Sequence, residues 1–225
     1  MAAFNEELAQ QIDSYIESLF VSPDPVLALN VQNADAAGLP PINITANQGK
    51  FLYLLARISG ARRILEIGTL GAYSTTWLAR ALPKGGRLLT LEYSPKHADT
   101  ARKNLAAAGL EQIAEVRVGD AAASLEALLQ AGERPFDFIF IDANKTGYLK
   151  YLELAMQLSR VGTVIVADNA IRNGAILEEN PGDPEDAAMR AYNAAAAAHP
   201  ALESIGLPMF KDKIDGMIIS RVKEQ

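Results

Sequence analysis

Acidic side chains stand at the ends of four short apolar runs, where they could bind one ligand together. Glu92, Asp142 and Asp168 each end such a run, and Glu66 lies one residue before a glycine turn. Short apolar runs bounded by such signals are typical of buried strands. The carboxyl ends of parallel strands share one edge of a sheet, with neighbouring strands about 4.8 Å apart. A single acid there commonly caps a helix, but four on one edge indicate a binding site.

The turn after the first run favours a cationic nucleoside over a dinucleotide. Its glycines, Gly68 and Gly71, do not follow the Gly-x-Gly-x-x-Gly spacing that brings backbone close to a pyrophosphate. The carboxylate of Glu66 beside the turn also disfavours phosphate groups. Glu92, which ends the next strand, is suited to accept hydrogen bonds from a ribose diol. S-adenosylmethionine meets both demands because it is a nucleoside that carries an ammonium and a sulfonium.

Two further positions bear on this cofactor site. Asp120, within Gly119-Asp120-Ala121, would lie near the adenine, and it could equally cap the helix that follows. We expect Ser74 to cap the helix that begins after the glycine turn.

Oxygen ligands follow two other predicted strands. Asp142 and the pair Asp168-Asn169 offer two carboxylates and one amide oxygen, the hard ligands that select Mg²⁺, Mn²⁺ or Ca²⁺ over zinc. Lys145 lies three residues past Asp142. A lysine is usually solvated, but a neighbouring divalent cation disfavours its ammonium form, and this would make Lys145 a general base.

The elements that must position these residues alternate along the chain. Repeated strand–helix alternation with apolar strands predicts an α/β fold, a parallel sheet with helices on both faces, and two more strands near the end predict an antiparallel hairpin. The strand candidates are Ile64–Ile67, Arg87–Glu92, Glu115–Val118, Phe136–Asp142, Thr163–Asp168, Leu202–Gly206 and Met217–Val222. Helix candidates lie between them, and three more precede Ile64: an amphipathic one over Phe4–Phe20, one from Val26, and Ala46–Ser59.

Bulk composition narrows the class of protein. The 225 residues suit one domain, here expected over residues 1–225, with the helices of residues 1–60 packing on the core and covering the site. A net charge of −6 argues against a nucleic-acid backbone as the main partner. The chain has no cysteine, no basic and apolar leader at its start and no run of membrane-spanning length. We therefore expect a cytoplasmic protein with no membrane partner.

Taken together, these motifs resemble the cation-dependent class I O-methyltransferases, the group that contains catechol O-methyltransferase and the caffeoyl-CoA O-methyltransferases. The chain is most similar to the small bacterial members, over nearly everything from Asp24 to the end. The motifs that carry the resemblance are Leu65–Ser74, Ile141–Lys145, Asp168-Asn169 and Lys213–Gly216. The resemblance implies a Rossmann-like, seven-stranded, mostly parallel sheet, bound S-adenosylmethionine, a divalent cation such as Mg²⁺, and commonly a homodimer.

The resemblance also assigns roles to positions. Asp142, Asp168 and Asn169 match the metal ligands, and Lys145 matches the proposed base. The predicted cofactor contacts are Asn43, Ile44, Glu66, Gly68, Thr69, Ser74, Glu92, Asp120, Ala121 and Asp142. The chain departs from the family pattern at Ala72, where glycine is frequent, and at Asn144, where aspartate is frequent.

The predicted reaction is the metal-dependent transfer of a methyl group from S-adenosylmethionine to a hydroxyl of a vicinal aromatic diol of the catechol, caffeoyl or flavonoid type. Two alternatives remain open. A nicotinamide-dependent oxidoreductase would use the same sheet edge, although the glycine spacing argues against it. A non-catalytic cofactor-binding protein would keep the pocket, although Lys145 and three ligand candidates argue against that. We expect Lys211 and Lys213 to be solvated, and the alternative is contact with an anionic acceptor such as a CoA ester.

Overall fold

Seven strands form one sheet in a computed structural model of the chain that describes residues 5–210 and 214–224. The strands are β1 (Arg63–Ile67), β2 (Arg87–Glu92), β3 (Ala114–Val118), β4 (Phe136–Ile141), β5 (Ser159–Ala167), β6 (Leu202–Phe210) and β7 (Ile214–Val222). Their order across the sheet is β3-β2-β1-β4-β5-β7-β6. The first five pair in parallel, whereas β7 pairs antiparallel with both β5 and β6. The predicted fold class is confirmed.

Helices precede and connect these strands. They are α1 (Glu6–Phe20), α2 (Pro25–Ala36), α3 (Ala46–Ile58), α4 (Tyr73–Ala81), α5 (Pro95–Ala107), α6 (Ala121–Gln130), α7 (Tyr148–Gln157) and α8 (Pro184–Ala198). Two short 3₁₀ segments, Lys145–Gly147 and Arg172–Leu177, follow β4 and β5. Phe4, where the first helix was predicted to begin, lies outside the described residues. Within the described part of the chain, no helix is both long and apolar enough to cross a membrane.

The core lies on both faces of the sheet, because the central strands are buried on both sides. Alternate residues of a strand point to opposite faces. Leu65 and Ile139 accordingly belong to one apolar cluster, while Ile64, Phe138 and Phe140 belong to the other. Burial on both faces is typical of parallel strands covered by helices. It leaves the carboxyl ends of the strands as the place where polar side chains can meet.

The sheet extends beyond the predicted strand ends. β5 begins at Ser159 instead of Thr163, because a register shift opposite Phe136 pairs that residue with Ser159. The hydroxyl of Thr163 bonds across this irregularity, donating to the Phe136 carbonyl and accepting from the Arg160 amide. The hairpin strands β6 and β7 are also longer than predicted, because backbone pairing continues past Gly206 to the pair of Phe210 with Ile214.

Polar contacts place α2 behind the glycine turn of the cofactor site. Asn30 donates to the Thr76 hydroxyl at 2.8 Å, and Asn104 donates to the carbonyls of both Asn30 and Gly71. A 2.5 Å ion pair between Arg80 and Asp24 joins the start of α2 to α4. α2 therefore packs against α4 and α5 behind this turn.

Candidate active site

The carboxyl ends of β1, β2, β4 and β5 open into a cavity of about 1020 Å³. All but one of the predicted site residues line this cavity, and the exception is Glu66. The lining members of the predicted set are Asn43, Ile44, Gly68, Thr69, Ser74, Glu92, Asp120, Ala121, Asp142, Lys145, Asp168 and Asn169. The predicted cofactor, metal and base positions thus share one cavity, while their individual roles remain predictions.

Gly68 brings the turn after β1 against the backbone that follows β4. Its φ is +99°, and a β-carbon there would lie 1.9 Å from the carbonyl oxygen of Asp142. Backbone hydrogen bonds hold the same place: Gly68 donates to the Leu91 carbonyl at 2.9 Å, and Asp142 donates to the Ile67 carbonyl at 2.8 Å. Only glycine combines this φ with this close approach.

Glu92 holds the glycine turn as well as facing the cavity. One carboxylate oxygen accepts from the backbone amides of Thr69 at 3.2 Å and Leu70 at 2.9 Å, and the other accepts from Ser94 at 2.8 Å. His97 lies 3.5 Å from the second oxygen. The carboxylate is therefore fixed in place before a ribose could bind to it, and this limits the ordering that binding would require.

Glu66 lies behind the cavity wall. It is fully buried, and its two carboxylate oxygens accept from the hydroxyls of Ser74 at 2.6 Å and Thr75 at 2.5 Å. Burial raises the pKa of Glu66 to about 7, against the opposing effect of these hydroxyl bonds and one from Thr90. Ser74 lines the cavity in front of it. Direct contact between Glu66 and a cofactor stays a prediction. Ser74 lies between Glu66 and the cavity, so it would link the carboxylate to a bound cofactor indirectly.

Ser74 itself is not a helix cap, so that prediction was wrong. α4 begins two residues before the predicted start, at Tyr73, and its N-cap is Ala72 with a left-handed φ of 66° and no side-chain capping bond. The hydroxyl of Ser74 is used by Glu66 instead. Asp120, by contrast, is a helix cap as predicted, while its position near the adenine stays a prediction. It accepts from the Ala123 amide at 2.9 Å as the cap of α6, and it lines the cavity.

The ends of β4 and β5 bring two acids and an amide together. Asp168 is buried, and its pKa is raised to about 7, first by that burial and then by the charge of Asp142. The Asn169 side-chain nitrogen donates to Asp215 at 3.0 Å. Since a carboxylate can only accept, this bond commits the amide nitrogen to Asp215 and leaves the amide oxygen available.

This donor set fits a hard divalent cation. Two carboxylates and an amide oxygen are ligands of the kind that Mg²⁺ prefers, and a cation would relieve the repulsion between Asp142 and Asp168. No cluster of three or more His, Cys, Asp or Glu side chains suited to a metal occurs within residues 5–210 and 214–224. The predicted set contains only two residues of those types, because its third member is Asn169.

Lys145 lies in the 3₁₀ turn that follows β4. Its amine donates to the Asp142 carboxylate at 2.8 Å and to the Tyr148 hydroxyl at 3.0 Å. The Tyr148 hydroxyl in turn donates to the Ile141 carbonyl at 3.1 Å. Burial and the nearby charges of Asp142 and Asp168 hold the pKa of Tyr148 well above its usual value, so this hydroxyl keeps its proton.

Sequence reasoning assigned no role to several residues that the fold brings to the site. Tyr148 follows Lys145 by three residues, a spacing that could have pointed to it. Asp215 belongs to the motif Lys213–Gly216, and it also accepts from the amides of Ile171 and Arg172. The guanidinium of Arg172 lines the cavity and pairs with Glu185 at 3.1 Å and with Asp186. Lys211 and Lys213 lie outside the described residues.

Comparisons with known proteins show the family of this chain. A family model described as O-methyltransferase matches residues 21–223. The chain is 46% identical over 220 residues to a catechol O-methyltransferase of Niastella koreensis, covering 97% of this chain and 100% of the relative. It shares 32% identity over 178 residues with caffeoyl-CoA O-methyltransferase 2 of Populus trichocarpa, covering 73% of this chain and 70% of that relative.

Solved structures show the same fold with cofactor bound. The O-methyltransferase from Bacillus cereus in complex with SAH matches with a TM-score of 0.95 and 44% identity, covering 97% of this chain and 100% of that one. The O-methyltransferase TomG from Streptomyces achromogenes, in complex with SAM, matches with a TM-score of 0.93 and 37% identity, covering 99% and 100%. The chain described here belongs to the S-adenosylmethionine-dependent O-methyltransferase family.

Proposed function

We propose that this chain transfers a methyl group from S-adenosylmethionine to one hydroxyl of a vicinal aromatic diol of the catechol or caffeoyl type, in a reaction that needs a divalent cation. Mg²⁺ is the cation we propose first, with Mn²⁺ or Ca²⁺ as alternatives. One observation carries the proposal: the Lys145 amine is bonded to Asp142 and shares a cavity with Asp168 and Asn169. The names of the similar catechol and caffeoyl-CoA enzymes support the class of acceptor.

The cofactor half of the reaction rests on residues around the glycine turn. In the proposal, Glu92 accepts the ribose hydroxyls, and Ser74, held by Glu66, contacts the methionine moiety. The other contacts we propose are Asn43, Ile44, Gly68, Thr69, Asp120, Ala121 and Asp142. Asn43 and Ile44 lie on the segment before α3, so residues 1–60 would cover the bound cofactor as well as packing on the core. Because the chain belongs to the methyltransferase family, we set aside the alternative that it is a nicotinamide-dependent oxidoreductase.

The acceptor half rests on the ends of β4 and β5. Asp142, Asp168 and Asn169 would hold the cation. When bound, the cation supplies Lewis acidity that lowers the pKa of the acceptor hydroxyl, and the sulfonium of the methyl donor supplies an electrophilic carbon. Lys145 removes the proton from that hydroxyl and becomes an ammonium held by Asp142. No covalent enzyme intermediate is needed, because the residues only orient the two reactants and balance charge.

An exposed apolar stripe on α1 supports the predicted homodimer. Leu8, Ile12, Tyr15 and Leu19 follow one another at helical spacing, and each is at least 50% exposed. We propose that a second copy of the chain covers this stripe. A cytoplasmic location, and the absence of nucleic-acid and membrane partners, also remain predictions.

Methylation of catechol by the purified full chain tests the proposal. We expect S-adenosylhomocysteine to form in the presence of Mg²⁺, and we expect excess EDTA to reduce the rate at least about 100-fold because the acceptor hydroxyl is no longer activated. Adding back Mg²⁺, Mn²⁺ or Ca²⁺ separately would identify the effective cation. Full activity in excess EDTA would contradict the metal role. Cofactor binding without turnover of catechol, caffeate or a dihydroxyflavonoid would favour the non-catalytic alternative.

A further inference from the structure

Tyr148 is the only hydrogen-bond partner of the Lys145 amine, besides Asp142, among residues 5–210 and 214–224. It begins α7, directly after the turn that carries Lys145, and its side chain is fully buried. A buried tyrosine hydroxyl that contacts the proposed base can act on the reaction without touching a substrate. The inference that follows rests on the proposed function, in which Lys145 removes the proton.

The directions of these hydrogen bonds are fixed by chemistry. The Tyr148 hydroxyl has one hydrogen, and it is used in the bond to the Ile141 carbonyl, which can only accept. The oxygen of Tyr148 must therefore accept from Lys145. The Asp142 carboxylate must accept as well. Two of the three positions on the Lys145 nitrogen are consequently occupied by donated hydrogens.

The third position is the one that matters for proton transfer. In the neutral amine this position holds the lone pair. In the ammonium it holds the proton that has been removed from the hydroxyl of the substrate. With only the Asp142 contact, the amine could rotate about its terminal carbon–nitrogen bond and move along the carboxylate. With the Tyr148 oxygen as a second fixed hydrogen-bond acceptor, the amine can no longer rotate, and the third position on its nitrogen points in one direction.

Tyr148 is itself held rigidly. Its ring packs edge-on against Tyr192, with centroids 5.5 Å apart, and at a tilt against Tyr151, with centroids 6.1 Å apart. The ring also lies 5.1 Å from the Lys145 nitrogen, within the range of a cation–π contact that would favour the ammonium product. Because the Tyr148 ring is held by this packing, its hydroxyl oxygen fixes the position of the Lys145 amine that donates to it.

We propose that Tyr148 is a positioning residue that orients the Lys145 amine, so that its third position receives the proton of the acceptor hydroxyl. The expected consequence is an effect on kcat rather than on binding of the methyl donor. Replacing the hydroxyl should leave the fold intact, because the Ile141 carbonyl also accepts from the Asp168 amide at 3.0 Å.

The test compares Tyr148→Phe with the matched control Tyr192→Phe in the full chain, using catechol and Mg²⁺. Tyr192 is equally buried, and its hydroxyl has no hydrogen-bond partner within the described residues. Both variants keep the aromatic contacts and remove one buried hydroxyl. For Tyr148→Phe we expect kcat to fall about 10-fold to 100-fold, as for the loss of a bond to a charged group. The KM for S-adenosylmethionine should change by about twofold or less, and Tyr192→Phe should change neither quantity beyond about twofold.

A double-mutant cycle with Lys145→Ala separates this inference from the proposed function. If Tyr148 acts through Lys145, Tyr148→Phe should lower the rate of the Lys145→Ala enzyme by about twofold or less. An equal loss in both backgrounds, or equal losses for the two Tyr→Phe variants, would overturn the inference while leaving Lys145 as the base. A Tyr148→Phe protein that does not fold would also overturn it, since the hydroxyl would then serve the fold. If Lys145→Ala keeps the wild-type rate, the base role that the proposed function gives to Lys145 fails.

Discussion

The two ends of the cavity treat a buried carboxylate in different ways. At the cofactor end, formed by Glu66, Gly68, Ser74 and Glu92, both oxygens of Glu66 accept from hydroxyls. At the other end, where we propose that a cation binds and which we call the cation end, lie Asp142, Lys145, Asp168 and Asn169. There the buried Asp168 accepts from the neighbouring Asn169 amide and faces a second acid. Burial raises the pKa of both carboxyls to about 7.

The difference shows at which end the protein itself supplies the hydrogen-bond donors that a buried carboxylate needs. Hydroxyl donors of the chain itself satisfy Glu66, so the chain preorganises the proposed cofactor end before a ligand binds. The cation end has more hydrogen-bond acceptors than donors. Neighbouring carboxylates repel each other when nothing lies between them, and a positive ion would remove that repulsion. Substitutions at the two ends should therefore separate cofactor affinity from turnover.

The largest expected effect comes from Asp168→Ala. Loss of this oxygen donor should lower turnover of catechol on the order of 10³-fold, because acceptor activation is lost. Affinity for S-adenosylhomocysteine, measured by calorimetry, should remain within about threefold of wild type, since Asp168 is not among the proposed cofactor contacts.

Asp168→Asn is the matched variant for that experiment, because it keeps the side-chain shape and an oxygen that can accept from the Asn169 amide. We expect it to lose turnover like Asp168→Ala. A parallel loss of cofactor affinity in either variant would contradict the separation of the two ends.

Glu92→Ala should produce the opposite division. The Thr69 and Leu70 amides lose their shared acceptor, and a bound ribose loses its proposed partner. Affinity for S-adenosylhomocysteine should fall about 100-fold, as expected when hydrogen bonds to a charged group are removed. Mn²⁺ binding, followed by electron paramagnetic resonance, should be unchanged. Equal loss of cofactor and Mn²⁺ binding would show that the ends are coupled.

Glu66→Gln should have the smallest effect on activity, and its main effect should be on the pH dependence of stability. Burial raises the Glu66 pKa from 4.5 to about 7, so the native state binds this proton more tightly than the unfolded chain does. Its contribution is fully present below pH 4.5 and is lost as pH rises through 7. Between about pH 5 and pH 7.5, the free energy of unfolding of the wild type should fall about 2 kcal/mol more than that of Glu66→Gln.

Urea denaturation of both proteins at the two pH values measures this difference. Asp168 is present in both proteins, so its own titration cancels in the comparison. Equal pH slopes would mean that Glu66 does not retain its proton in the native state, and the contrast between the two ends would then rest on Asp168 alone.

Much of this arrangement could be predicted from the sequence, because the relevant signals are local. Apolar runs that end in acids predicted the parallel strands, and the glycine turn was correctly placed at the edge of the cavity. Strand ends on one edge of a sheet come together whatever the loops do. Asp142 and Asp168, which lie 26 positions apart in the sequence, could therefore be placed in one site without coordinates.

What could not be predicted depends on the partner of a given side chain. Ser74 had the sequence signal of a helix cap, but the buried Glu66 recruits its hydroxyl, and Ala72 begins the helix in a left-handed conformation. The role inferred for Tyr148 depends on where β4 ends relative to α7. Residue type cannot reveal such contacts, because the same serine or tyrosine would be bonded differently in another packing arrangement.

Gly68 also joins the two ends of the cavity, because it brings the turn after β1 against the backbone that follows β4. A side chain at this position would collide with the carbonyl of Asp142, so the cofactor turn and the acceptor edge meet through backbone alone. The distance between the cofactor turn and the end of β4 is therefore set by main-chain geometry. We expect substitutions in the peripheral segment Arg172–Leu177 to leave this backbone contact in place. Attempts to redesign the acceptor should leave positions 68 and 142 untouched.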